Sequence, residues 1–169
     1  LKQHKQVDGI GLEIDEANLE RCIADEIQVI QADLNEGLSQ YFVDDRFDYV
    51  VMSQTLQATR HPDQLIVEML RVGRQGIVTF PNMAYWKARV QLAFEGIMPV
   101  TKSLPNEWYN TPNIHLCTVN DFERLCHNRG IDLDRRTFVD HTHSRSTFMM
   151  RTFPNLFGEI AVYRVTRTG

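Results

Sequence analysis

Cysteine is scarce and badly placed for cross-linking. The chain holds three, Cys22, Cys117 and Cys126, an odd number with no C-x-x-C spacing. That excludes a disulfide framework or a zinc ribbon and points to a reducing compartment. No apolar run is long enough to span a bilayer and no secretory leader is recognisable, so a cytoplasmic protein is expected, with no membrane association. An excess of basic charge is also missing: 18 Lys and Arg stand against 22 Asp and Glu, for a net charge of −4, which argues against a nucleic-acid binder. The basic residues bunch late. From Arg135 onward six arginines face only Asp140 and Glu159, so this last part carries +4. It reads as a solvated face or a surface for an acidic partner. His141 and His143 have no third ligand at suitable spacing, so no metal is expected. Repeats, low-complexity tracts and linkers are lacking as well, which leaves residues 1–169 as a single domain.

What is present is organised around residues 9–15, Gly-Ile-Gly-Leu-Glu-Ile-Asp. Ile10, Leu12 and Ile14 alternate with Gly11 and Glu13, as in a buried strand. Asp15 then offers a carboxylate to the first amides of a helix reaching about Cys22 or Ile23. Glu13 ends the strand in acid. At the carboxyl edge of a parallel sheet, such a group can accept both hydroxyls of a ribose.

The rest alternates in the same way. Residues 27–31 form a second short strand, followed by Ala32-Asp33-Leu34, another acid just past a strand end. Residues 47–52 are apolar enough for a strand buried on both faces, and Ser53-Gln54-Thr55-Leu56-Gln57 follows it. Pro62 starts a helix with Leu65, Met69 and Val72 on one face, and Gly73 can end it. Residues 76–80 are the next strand. Asn82 is placed to cap a helix whose stripe is Met83, Trp86, Val90, Ala93 and Phe94, closed by Gly96. Residues 97–116 then lose periodicity, with Pro99, Pro105, Pro112, Trp108 and Tyr109, and read as a long functional loop or lid. Thr118 and Asp121 have capping-box spacing before Val119, Phe122, Leu125 and Cys126, and Gly130 closes that helix. Extended stretches at 132–139 and 158–166 complete an α/β chain with a mostly parallel sheet flanked by helices.

Four blocks in this order resemble the class I S-adenosylmethionine-dependent methyltransferases, a Rossmann-like fold: Gly11-Leu12-Glu13-Ile14-Asp15, Ala32-Asp33-Leu34, Phe47-Asp48-Tyr49-Val50-Val51 and Glu68-Met69-Leu70-Arg71-Val72. Within that superfamily the blocks Ser53 to Thr59, Phe80-Pro81-Asn82, Met98 to Lys102, Glu107-Trp108-Tyr109 and Thr111 to Thr118 resemble the MetW family of methionine-biosynthesis proteins. The resemblance implies that Glu13 holds a cofactor ribose and Asp33 an adenine amine, with Ile14, Leu34 and Ser53 completing the site for S-adenosylmethionine or S-adenosylhomocysteine. It also implies a partner, the homoserine O-acyltransferase MetX. One part of the pattern is not matched. The superfamily opens with a central strand and an Asp-x-Gly-x-Gly turn, and the given chain begins just after that place. Residues preceding Leu1 are therefore expected, and cofactor binding is conditional on them.

Methyl transfer from a sulfonium needs mainly alignment of nucleophile, methyl and leaving sulfur, so no catalytic dyad is required. If a base is used, His115, Tyr109 and Glu107 in the long loop are the candidates. For His115 a structural hydrogen bond that fixes the loop is the simpler role. Asn82 lies after the wrong strand for the amino-group methyltransferase motif. Phe148, Met149 and Met150 read as core or interface, Trp86 as packing, and Trp108 as a lid or partner contact. Two functions compete: a MetW-type partner that supports the acyltransferase, and a free-standing methyltransferase whose small-molecule acceptor would lie under residues 97–116.

Overall fold

The computed structural model describes residues 7–140 and 148–168. They fall into two units, Leu1–Gly37 and Leu38–Gly169. The first holds strand β1 (Gly11–Glu13), helix α1 (Glu16–Ala24), strand β2 (Val29–Gln31) and a 3-10 turn, Leu34–Glu36. β1 and β2 pair in parallel, with Glu13 opposite Gln31. Asp15 caps α1 as expected, accepting from the Asn18 amide at 3.0 Å. The expected burial of β1 is not found: Ile10 and Ile14 are exposed, as is Ile23 on α1. Two three-residue strands and one helix enclose too little volume to bury a face.

The second unit runs β3 (Phe47–Ser53), a 3-10 turn at Leu56–Ala58, α2 (Pro62–Val72), β4 (Gly73–Pro81) and α3 (Trp86–Val90), which continues into a π-helical turn, Gln91–Glu95. After the long loop come α4 (Val119–Asn128), β5 (Ile131–Val139), the short helices α5 (Phe148–Thr152) and α6 (Pro154–Phe157), and β6 (Ile160–Arg167). The sheet order is β3-β4-β6-β5. β3, β4 and β5 point the same way and β6 alone runs against them.

Packing explains the order. α2 buries Leu65, Ile66, Met69, Leu70 and Val72, the face its periodicity announced. Met69 lies over Gly76 of β4, where a Cβ would also come within 2.8 Å of Val165 Cγ2. Only glycine lets α2 settle there. The centre is aromatic: Tyr163 stacks on Phe80 at 6.0 Å between ring centroids and meets Phe122 at 4.9 Å. Such contacts add to the area buried. The Tyr163 hydroxyl donates to Glu123 Oε1 at 2.7 Å, and burial together with that bond pushes its pKa up.

Further expectations need correction. Gly73 does not cap α2 in a left-handed turn; its φ of −118° is extended and β4 begins on it at once. β3 ends the strand order of this sheet, and among the described residues Tyr49 and Val51 are exposed, where burial on both faces was expected. Asn82 does not cap the helix after β4, which begins only at Trp86. Its stripe is not a core stripe: Trp86, Val90 and Phe94 are exposed and α3 buries only Ala88. The π turn widens the helix and rotates the residues after Val90 out of a 3.6-residue line. Of the two readings for Phe148 and Met149, core or interface, the core one does not hold: both are exposed and line an apolar groove of about 280 Å³ with Phe153 and Leu156.

Three of the late arginines are paired with carboxylates, Arg136 with Glu123, Arg164 with Asp134 and Arg167 with Asp45, which uses up part of the basic surface. His141 and His143 lie outside the described residues. Among the described residues no group of three His, Cys, Asp or Glu could hold a metal ion, and no helix is long and apolar enough to cross a membrane.

Candidate functional site

In the first unit the two acids singled out by sequence stand at the carboxyl ends of adjacent parallel strands. Glu13 closes β1. Its Oε1 accepts from the backbone amides of Ile14 and Asp15, both at 2.9 Å, and its Oε2 from the Asn18 side-chain amide at 3.4 Å. These bonds fix the carboxylate while Oε2, with only a long bond, keeps acceptor capacity. That suits a group accepting two hydroxyls. Asp33 follows β2 directly. Its Oδ1 takes both the Asn35 amide at 2.8 Å and the Asn35 side chain at 2.7 Å, which presents the carboxylate in a defined orientation. Ile14 follows Glu13 in the exposed turn, and Leu34 opens the 3-10 turn that Asp33 caps.

In the second unit, Ser53 ends β3 and its hydroxyl accepts from Thr79 Oγ1 at 3.4 Å. The next residue, Gln54, has φ +55°. A non-glycine residue held in the left-handed region stores strain, and such outliers cluster at functional edges. No sequence signal marks Gln54 as unusual except its place in the Ser53 to Thr59 block. Gln57 is more telling: it is 2% exposed, donates to Pro81 O at 3.4 Å and to Cys117 Sγ at 3.3 Å, and its buried Oε1 has no hydrogen-bond partner among the described residues. Its backbone carbonyl accepts from Ile114 and His115. One residue thus ties β4 and the end of the long loop to the turn after β3.

Asn82 is the second tie. Its amide nitrogen donates to Gly158 O at 2.8 Å and Asn155 O at 3.1 Å, and its oxygen accepts from Ala84 N at 3.0 Å and Val119 N at 3.2 Å. All four hydrogen-bonding positions are used inside the protein, so the side chain is a clamp. The cap expected from sequence was the right kind of bond on the wrong helix, since one of its acceptances is from the first residue of α4.

The three candidate bases are held by separate contacts. His115 Nε2 meets Arg60 O at 3.2 Å and its backbone amide donates to Gln57 O. Glu107 and Tyr109 are exposed in a turn closed by Asn110 N to Glu107 O, where Tyr109 and Trp108 pack edge to face at 5.8 Å. Glu159 was counted in the sequence only as one of two late acids. It is 3% exposed at the start of β6, beside the end of β4, and its backbone carbonyl accepts from Asn82 N. Burial, helped by the Glu159 carboxylate, raises the Tyr85 pKa.

Acids at the ends of parallel strands, each opening into a helical turn, fit a class I S-adenosylmethionine-dependent methyltransferase fold. Solved structures agree. A SAM-dependent methyltransferase from Archaeoglobus fulgidus superposes with a TM-score of 0.67 at 12% identity, over 98% of this chain and 79% of that one. One from Mesorhizobium loti gives 0.61 at 16% identity, over 94% and 79%. The family model "Methionine biosynthesis protein MetW" matches residues 1–165. The chain belongs to the MetW family of methionine biosynthesis. A curated relative from Rhodopirellula baltica, the bifunctional methionine biosynthesis protein MetXA/MetW, is 39% identical over 132 residues. The match covers 78% of this chain and 21% of that protein, so the chain spans about a fifth of its relative.

Proposed function

We propose that this protein is a partner of the homoserine O-acyltransferase MetX and supports its activity. The observation that carries the reading is the Rhodopirellula relative, whose name joins MetXA and MetW in one polypeptide and of which this chain matches only a fifth. Two activities fused in one organism are natural candidates for association where they are separate. The exposed aromatic residues Trp108 and Tyr109 of the long loop give such a contact apolar anchors. The test is homoserine acyl transfer by the acyltransferase of the same organism, with and without this protein. Addition is expected to raise the rate about tenfold, within ordinary coupling energies. An unchanged rate removes the reading.

The fold and the two oriented carboxylates support a second, compatible role, in which the protein holds S-adenosylmethionine or S-adenosylhomocysteine. Glu13 would take the ribose hydroxyls and Asp33 the adenine amine, with Ile14 and Leu34 alongside. S-adenosylmethionine, when bound, supplies an activated methyl group. The chain's own contribution is to orient it through carboxylates whose backbone bonds are already made. Whether that cofactor serves transfer to a small molecule or signals the pathway's state is read from the same acyltransferase mixture with cofactor added. Glu13→Ala is expected to weaken cofactor binding about tenfold or more in calorimetry, the worth of a charged hydrogen-bond acceptor. Unchanged affinity would assign the ribose to another carboxylate.

A further inference from the structure

A groove of about 630 Å³ lies between α3 and the first part of the long loop, wholly within the second unit. Its apolar wall is made by Trp86, Val90 and Val100, and Glu159, Lys87 and Lys102 supply its charge. The wall is held in place. Val100 N donates to Gln91 Oε1 at 3.0 Å, which ties loop to helix. Thr101 and Leu104 exchange backbone bonds at 2.9 and 3.2 Å, with Leu104 buried. The volume is that of an ordinary small-molecule site. It sits at the carboxyl edge of β4, where sheets of this kind bind ligands.

The charges are arranged unequally. Glu159 is 3% exposed, whereas Lys87 and Lys102 are exposed. The groove therefore has a negative group at depth and positive groups at its rim, with an aromatic wall between. Lys87 Nζ already lies 5.7 Å from the Trp86 ring centroid, so that wall tolerates a cation beside it. A purely anionic ligand would meet the buried carboxylate, and a purely cationic one the two ammonium groups.

We infer that this groove binds a small zwitterion with an apolar body, in chemical class a free α-amino acid with an apolar side chain. Its ammonium goes to Glu159, its carboxylate to Lys87 and Lys102, and its side chain lies against Trp86, Val90 and Val100. Glu159 and Lys102 also interact elsewhere in the protein. The site does not need them free, because a carboxylate has four acceptor positions and an ammonium three donors. The inference rests on the groove alone and stands apart from the acyltransferase and cofactor readings.

The test is calorimetric titration of the full-length protein with L-norleucine, N-acetyl-L-norleucine and L-norleucinamide. L-norleucine is expected to bind, and each analogue, lacking the ammonium or the carboxylate, to bind about tenfold more weakly. Glu159→Gln is expected to reduce L-norleucine affinity by a similar factor. The exposed-site variants Lys87→Ala and Lys102→Ala give an independent reading if the buried substitution unfolds the protein, and together they should erase the preference for L-norleucine over its amide. Binding of all three compounds alike, or none by L-norleucine up to about 10 mM, overturns the assignment.

Discussion

At the scale of the residue, burial governs two of the three cysteines, Cys117 and Cys126. Cys126 is fully buried on α4, and burial, with the Glu123 carboxylate adding to it, pushes its thiol up to about 12. Burial also lifts Cys117 to about 11, against the opposing hydrogen bond from Gln57. An unfolded thiol titrates near 9.0, so above that pH the unfolded chain releases protons that the folded chain keeps. Their contribution to stability is complete below about pH 9 and is lost as pH rises through 11 toward 12. The urea midpoint is expected to fall from pH 9 to 11, and to fall less steeply in Cys126→Ala; parallel curves would contradict this. Sequence could place Cys126 on an apolar helical face, and that much was legible. It could not show that Asn82, Gln57 and Glu159 are buried, because each is enclosed by residues far along the chain and none has a local signature.

Among the elements, legibility follows the range of the forces. The Thr118–Asp121 capping box is a bond pattern within four residues, and it forms: Thr118 Oγ1 accepts from Asp121 N at 3.2 Å while Asp121 Oδ2 accepts from Thr118 N at 3.1 Å. Thr118→Ala is expected to cost about 1 kcal/mol, measured by denaturant unfolding, and Thr118→Ser much less. α2 and α4 were equally readable, since their buried faces repeat at helical spacing. α3 was not. Its sequence carries the same spacing, but the helix turns Ala88 inward, so Trp86 and Val90 line the groove instead, and a π turn breaks the register beyond Val90. Strand limits were blurred for the same reason that β4 grew at both ends: pairing with β3 and β6 extends it, and pairing is not a property of one segment.

For the whole molecule, alternation of strand and helix was enough to choose an α/β fold. The reversal of β6 was not readable, because α5 and α6 are too short to carry the periodicity of a crossover. The carboxylates of the first unit were found because strand, acid and helix follow in sequence, whereas the groove of the second unit is assembled from residues 86–105 and 159. Asn82 gives this separation a consequence in time. Its bonds reach 37 residues onward to Val119 and 73 and 76 residues onward to Asn155 and Gly158. During synthesis that side chain waits, with both donors hydrated, until nearly the last strand has left the ribosome. Closing so long a loop is slow compared with forming α2 or α4. The groove wall and the long loop therefore take their final positions last, and a nascent chain halted before β6 would carry Glu13 and Asp33 without the edge that Asn82 holds in place.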